Sequence, residues 1–366
     1  MKRNRVVQAT LFATMLVGCG QNLAPSAQLG QSAGEIDPGI VGAERTIVER
    51  ALEQLPPEDR ANVIVLTGDG KAYANRVGLA GEVQTLQVLS PTTARTPDGR
   101  VIGIPELQPK NTVGSLATSV PACNISDGPY RRISSKIGTG SPSGNYGWIR
   151  ANLNLPGSPN AKLSTSSGNG YVTFGGWGNG TTGSTVDAGL QYNQFTAGTS
   201  DPFWSGYVAQ RQYNAPSALI QTAGRFVPGS FTMSFYVTSD GNTALKIVGT
   251  PKPGTSTVSP TTIVIANATG WTKSGTGNIL KRFQSITNAN ADDYITNIAW
   301  SSVQVGASVE TATGTVSALR NWSAADTAAT NGICNVTTTN TGRVGSINVS
   351  PSASTAGDSE TVGIFF

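Results

Sequence analysis

The chain contains no histidine in 366 residues. That absence removes a Ser-His-Asp or Cys-His nucleophilic site, a histidine general base, and any zinc or iron centre with imidazole ligands. Carboxylate, tyrosine or lysine chemistry, calcium held by oxygen ligands, or no chemistry at all remain. Charge is scarce as well. Asp, Glu, Lys and Arg make up 13% of the chain and apolar residues 38%, enough for a core beneath a surface of Ser, Thr, Asn, Gln and Gly. Such a surface suits an extracellular setting. Cysteine is limited to Cys19, Cys123 and Cys334.

What is present begins with a basic head, Lys2, Arg3 and Arg5, followed by an apolar stretch from Val6 to Val17 that is too short to span a bilayer comfortably. This is the pattern of an export signal over residues 1–18. The stretch ends in Leu16-Val17-Gly18-Cys19, which resembles the lipobox of bacterial lipoproteins. The resemblance implies lipidation of Cys19 as the mature N-terminus and a membrane-anchored protein of the cell envelope, facing the periplasm or the exterior. An ordinary signal peptide with an incidental cysteine is the alternative. Each buried methylene contributes about 0.8 kcal/mol, so one acyl chain holds only marginally while two or three hold firmly.

Removal of residues 1–18 leaves 22 basic against 21 acidic residues. Residues 19–119 carry 8 basic and 11 acidic side chains, and residues 120–366 carry 14 and 10. Neither part has the excess of a nucleic-acid binder, so nucleic acid is not an expected partner. With Cys19 lipidated, Cys123 and Cys334 form an even pair that reads as a disulfide in an oxidising compartment. Closing so long a loop is worth roughly 4–5 kcal/mol in the chain-entropy model. Two separate buried thiols are the alternative.

Residues 19–43 have the composition of a flexible tether. Residues 44–104 read as a small α+β domain. In it Ile47, Val48, Ala51, Leu52 and Leu55 share one helical face, Pro56-Pro57 stops the helix, and short strands follow at Val63 to Leu66, Ala72 to Asn75, Val83 to Leu89 and Arg100 to Ile104. Residues 105–122, with Pro105, Pro109 and Pro121, form a linker.

Residues 123–366 change texture, to short β-prone runs between Gly, Ser, Asn and Pro clusters. Strands are expected at Gly147 to Leu155, Tyr171 to Phe174, Thr185 to Tyr192, Gly206 to Tyr213, Phe231 to Val237, Ala244 to Val248, Thr261 to Ala266, Ile279 to Ile286, Ile295 to Val305 and Thr315 to Leu319. Their spacing predicts a mainly β chain with two packed antiparallel sheets, a sandwich or jelly roll. The run Ser184 to Tyr192 followed by Pro202-Phe203-Trp204 resembles the concanavalin-like sandwiches of lectins and glucanases. The Glu-x-Asp-x-x-Glu strand of the retaining glucanases is absent, so the resemblance implies the fold and not the catalysis.

Tyr192, Trp204, Tyr207, Arg211 and Tyr213, with Gln210, gather within 22 residues. Tyr207, Arg211 and Tyr213 share parity and project from one sheet face. Aromatic rings stack on sugars and Arg and Gln bond their hydroxyls, so this set is the candidate glycan- or surface-component-binding patch; the same residues also suit the filling of a sandwich. Asp187, between Val186 and Ala188, and Asp201 are the least conventional acids, but a retaining glycosidase needs its pair about 5 Å apart and sequence cannot supply that distance. Asp240 reads as a hairpin-turn residue. Asn288 to Asp293 is like the start of a calcium loop but lacks the EF-hand glycine and glutamate, and reads as a solvated loop. Gly175 to Gly180 reads as a loop, not a phosphate cradle, because no helix follows it. No catalytic residue, metal or cofactor is assigned. The expected function is non-catalytic binding, with a carboxylate-dependent polysaccharide-cleaving enzyme or a purely structural envelope protein as the other readings.

Overall fold

Phe231, Met233, Phe235 and Val237 alternate along one strand and all four are buried in a single core. The same period repeats through the chain and generates two facing sheets. The computed structural model describes residues 35–105, 107, 129–141, 143–164, 168–180, 183–193, 202–212, 218–287, 292–307, 319–331, 346–350 and 357–365. In chain order the helix α1 (Gly42–Gln54) precedes β1 (Val63–Leu66), β2 (Ala72–Ala74), β3 (Val83–Ser90), β4 (Thr93–Arg95) and β5 (Val101–Gly103). Then come β6 (Tyr130–Ser135), β7 (Trp148–Leu155), β8 (Ala161–Lys162), β9 (Asn169–Trp177), β10 (Thr185–Asn193), β11 (Phe203–Arg211) and β12 (Leu219–Phe226). They are followed by β13 (Gly229–Ser239), β14 (Asn242–Val248), β15 (Thr261–Ile265), β16 (Ile279–Thr287) and β17 (Tyr294–Gly306). The last are β18 (Arg320–Asn321), β19 (Thr327–Asn331), β20 (Ser346–Ser350) and β21 (Glu360–Phe365).

The first sheet runs β2-β1-β15-β14-β13-β7-β17-β21-β20, with β8 and β18 also paired to β17. The second runs β19-β6-β16-β9-β10-β11-β12-β3-β4-β5. Pairing among the described strands is antiparallel except between β1 and β15. The chain is therefore a β-sandwich, as its texture predicts. Ile149, Leu153, Phe174, Leu190, Trp204, Phe235, Leu245, Trp300 and Ile364 belong to the core between the sheets, where each large aliphatic side chain contributes about 1.5–3 kcal/mol.

The small α+β domain expected at 44–104 is not a separate body. Residues 33–366 form one unit, because β1 pairs with β15 and β3 pairs with β12. The four-residue β1 reads VIVL and is buried on both faces: Ile64 and Leu66 enter the main core while Val63 and Val65 meet α1. A short strand covered on both sides is stable inside a larger sheet rather than alone. The helix is the one expected; Val48, Ala51, Leu52 and Leu55 pack over β1 and the stacked Trp148 and Tyr236 rings, whose centroids are 4.1 Å apart.

The linker expected at 105–122 falls largely outside the described residues, but Ile104 and Leu107 are buried as part of the fold. The strand expected at Thr315 to Leu319 lies outside the described residues except for Leu319, and Cys19, Cys123, Cys334, Asp201 and Tyr213 lie outside them too. Gly175 and Gly176, expected in a loop, belong to β9, at φ 132° and 135°. A Cβ on Gly175 would stand 1.9 Å from the Val186 carbonyl oxygen, so close strand packing explains the glycine. None of the described helices is long and apolar enough to cross a membrane.

Candidate functional site

The second sheet has an outer face as well as a core face, and the edge strands curl back over it. Ile102, Ile104 and Leu107 pack against Tyr171, Tyr207, Ala209 and Ile220. The Tyr171 hydroxyl donates to the Gly103 carbonyl at 2.6 Å, and Arg211 Nη1 donates to the Leu107 carbonyl at 3.1 Å. Residues 101–105 and Leu107 therefore form a strap across β9 and β11.

This arrangement corrects the exposed aromatic patch. Tyr192 and Trp204 point into the main core, 5.1 Å apart by ring centroids, and Trp204 Nε1 donates to the Pro156 carbonyl at 3.1 Å. Tyr207 does project from the opposite face, as its parity predicts, but the strap buries it against Tyr171. Burial raises the Tyr192, Tyr171 and Tyr207 hydroxyls above the usual tyrosine range; for Tyr207 the charges of Tyr171 and Asp187 add to the effect. Both faces of the sheet are covered here, so period two settles where each ring points and says nothing about exposure.

At the centre of that face lies an ion pair. Lys281 of β16 and Asp187 of β10 sit on one rung with Gly175 of β9 between them, since Gly175 is the register partner of both. No side chain separates them. Nζ of Lys281 lies 2.6 Å from Oδ1 of Asp187, with the two side chains 3% and 2% exposed. The Trp177 and Phe283 rings flank the ammonium at 4.9 and 5.6 Å. Burial lowers the Lys281 pKa, opposed by Asp187 and reinforced by Arg132.

Asp187 was conspicuous in sequence because an acid between two core residues must face elsewhere and needs a partner. Lys281 was missed, although period two places the adjacent cations of Ile-Leu-Lys281-Arg282-Phe on opposite faces. Arg282 accordingly enters the space between the sheets, where Glu360 faces both it and Arg131.

Beside the strap lies a cleft of about 340 Å³. Gln191, Phe203, Ser205, Thr222 and Arg225 are on the side of β10 to β12, and Glu82, Gln84, Thr96, Asp98 and Arg100 are on the side of β3 to β5. The Arg225 guanidinium lies over the Phe203 ring at 5.1 Å. Burial would raise the Asp98 carboxyl, but hydrogen bonds from Thr96 and Arg100 outweigh it and hold the pKa below the usual value. Apart from Phe203, named in the aromatic corner, these residues were not singled out in sequence: they come from segments that meet only when β3 pairs with β12. Elsewhere, Asp240, at the turn between β13 and β14, accepts from the amide of Lys273 at 2.9 Å. Of the segment expected to be a solvated loop, Asp293 is buried and accepts from the Ser164 amide at 2.6 Å.

No family model matches the chain, and no curated protein matches it. Among solved structures it is similar to scytalido-glutamic peptidase bound to a peptide-based transition-state analogue, at 14% identity and a TM-score of 0.37, covering 64% of this chain and 98% of that one. A second structure of that peptidase, with a transition-state-analogue inhibitor, gives 13% and 0.34 over the same coverage. SCP-B, a member of the eqolisin family of peptidases in complex with the tripeptide Ala-Ile-His, gives 14% and 0.30, again over 64% and 98%. Likeness at this level assigns no residue of this chain a role.

Proposed function

We propose that the chain is a lipid-anchored protein of the cell envelope whose sandwich binds a glycan, in the cleft beside the strap, without cleaving it. The observation that supports this reading is the composition of the cleft. Phe203, Leu86 and Ile102 form its buried apolar floor, and Gln191, Ser205, Thr222, Arg225 and Gln84 line it with donors and acceptors. Sites for small polar ligands combine a concave surface with a few converging polar groups in this way.

Arg225→Ala and Gln84→Ala are each expected to weaken retention on a polysaccharide affinity gel about tenfold, roughly 1.4 kcal/mol. Because neither residue lies in the main core, melting temperatures should stay within a few degrees of the wild type. Unchanged retention in both variants would remove the cleft as the site. A second reading is favoured by one observation, that Glu82 and Asp98 line the same cleft. Reducing-sugar release by the wild type that disappears in Glu82→Gln would make the protein a polysaccharide-cleaving enzyme.

The anchor is tested separately. Metabolic labelling with a palmitate analogue should mark the wild type and leave Cys19→Ala unlabelled; label on the variant would remove the lipidation.

A further inference from the structure

We infer that Lys281 and Asp187 become covalently joined, forming an intramolecular amide that ties β16 to β10 across the glycine of β9. The geometry carries this inference. The two side chains meet over Gly175, the register partner of each, and their polar ends are 2.6 Å apart in a site nearly closed to solvent. At that distance the two groups form a buried ion pair with no side chain between them.

Holding a nucleophile against a carboxyl group replaces a bimolecular encounter by a unimolecular one, an advantage of many orders of magnitude when the groups are aligned. A buried ion pair also carries a desolvation cost that its mutual attraction offsets only in part. The reaction ends that cost. A proton passes from the Lys281 ammonium to the Asp187 carboxylate, giving a neutral amine and a neutral acid. The amine lone pair attacks the carboxyl carbon and the new C–N bond forms. The carboxyl C–O bond then breaks, its oxygen taking one of the two protons on that nitrogen, and one water leaves while the other proton stays as the amide N–H. No oxidant, reductant or added reagent is required, and two buried charges are replaced by an amide dipole. Burial and the nearby Arg132 lower the Lys281 pKa, and Asp187 opposes them. The Trp177 and Phe283 rings shield the ammonium on two sides.

Peptide mapping of the purified full-length protein, denatured, reduced and digested with trypsin, tests the bond directly. The expected product is a branched peptide, one water lighter than its two linear parts, joining the segment that holds Asp187 to the one that holds Lys281, with no cleavage after Lys281. Lys281→Arg keeps a cation opposite Asp187 but cannot form the amide, so it should yield only linear peptides and melt at a lower temperature than the wild type. Recovery of Lys281 and Asp187 in unmodified linear peptides from folded wild-type protein would overturn the bond, and that result does not depend on whether the variant folds.

Discussion

Glu360→Ala is expected to destabilise the sandwich by about 3–5 kcal/mol, the cost of leaving buried charge without its counterion. Oε2 of Glu360 accepts from Arg131 Nε and Nη2 at 3.3 and 3.1 Å, and Oε1 stands 3.5 Å from Arg282 Nε. All three side chains are at most 4% exposed. The Arg282 guanidinium is lowered to about 10, chiefly by burial, which Glu360 opposes; Arg131 adds to the fall and Asp358 opposes it. Without Glu360, two guanidinium groups would be left between the sheets, with Asp358 still acting on Arg282. Urea unfolding followed by circular dichroism would measure the loss, and a change below about 1 kcal/mol would mean that water or another acid compensates the pair.

Trp204→Ala is expected to cost a similar amount, about 3–5 kcal/mol, because truncating a buried Trp removes both its transfer energy and its packing. The indole is fully buried, packs on Tyr192 and donates to Pro156. Tyr192→Ala should behave in the same direction. The contrast with Arg225→Ala is diagnostic: one variant loses stability and the other loses affinity. A Trp204→Ala protein that melts like the wild type would return this strand to the surface.

Much of the sandwich was legible in the sequence because its strands alternate between core and water. β7, whose buried residues alternate with exposed Arg150, Asn152 and Asn154, is such a case. Strands covered on both faces hide that period. β6 reads Tyr-Arg-Arg-Ile-Ser-Ser and is buried throughout, so its two arginines concealed it; in β12 Gly224, at φ 70°, interrupts the pattern instead. The long-range pairing of β1 with β15 leaves no local mark, which is why residues 44–104 looked self-contained. In the site, the oddity of Asp187 was visible and its partner was not, because register, not composition, brings Lys281 to the same rung. Aromatic clustering around Trp204 was a signal of core as much as of ligand, and burial settled it in favour of core.

The topology also governs when the fold can close. Asn62 bonds to Pro260 across 198 residues, and β17 is flanked by β7, made early, and by β21 at the chain's end. Contacts this distant in sequence slow folding, since the entropy of loop closure is spent before the contacts return anything. A growing chain thus reaches β17 with one edge open. That edge is a template for pairing with other chains until β21 arrives, so synthesis that stops before Glu360 leaves it exposed.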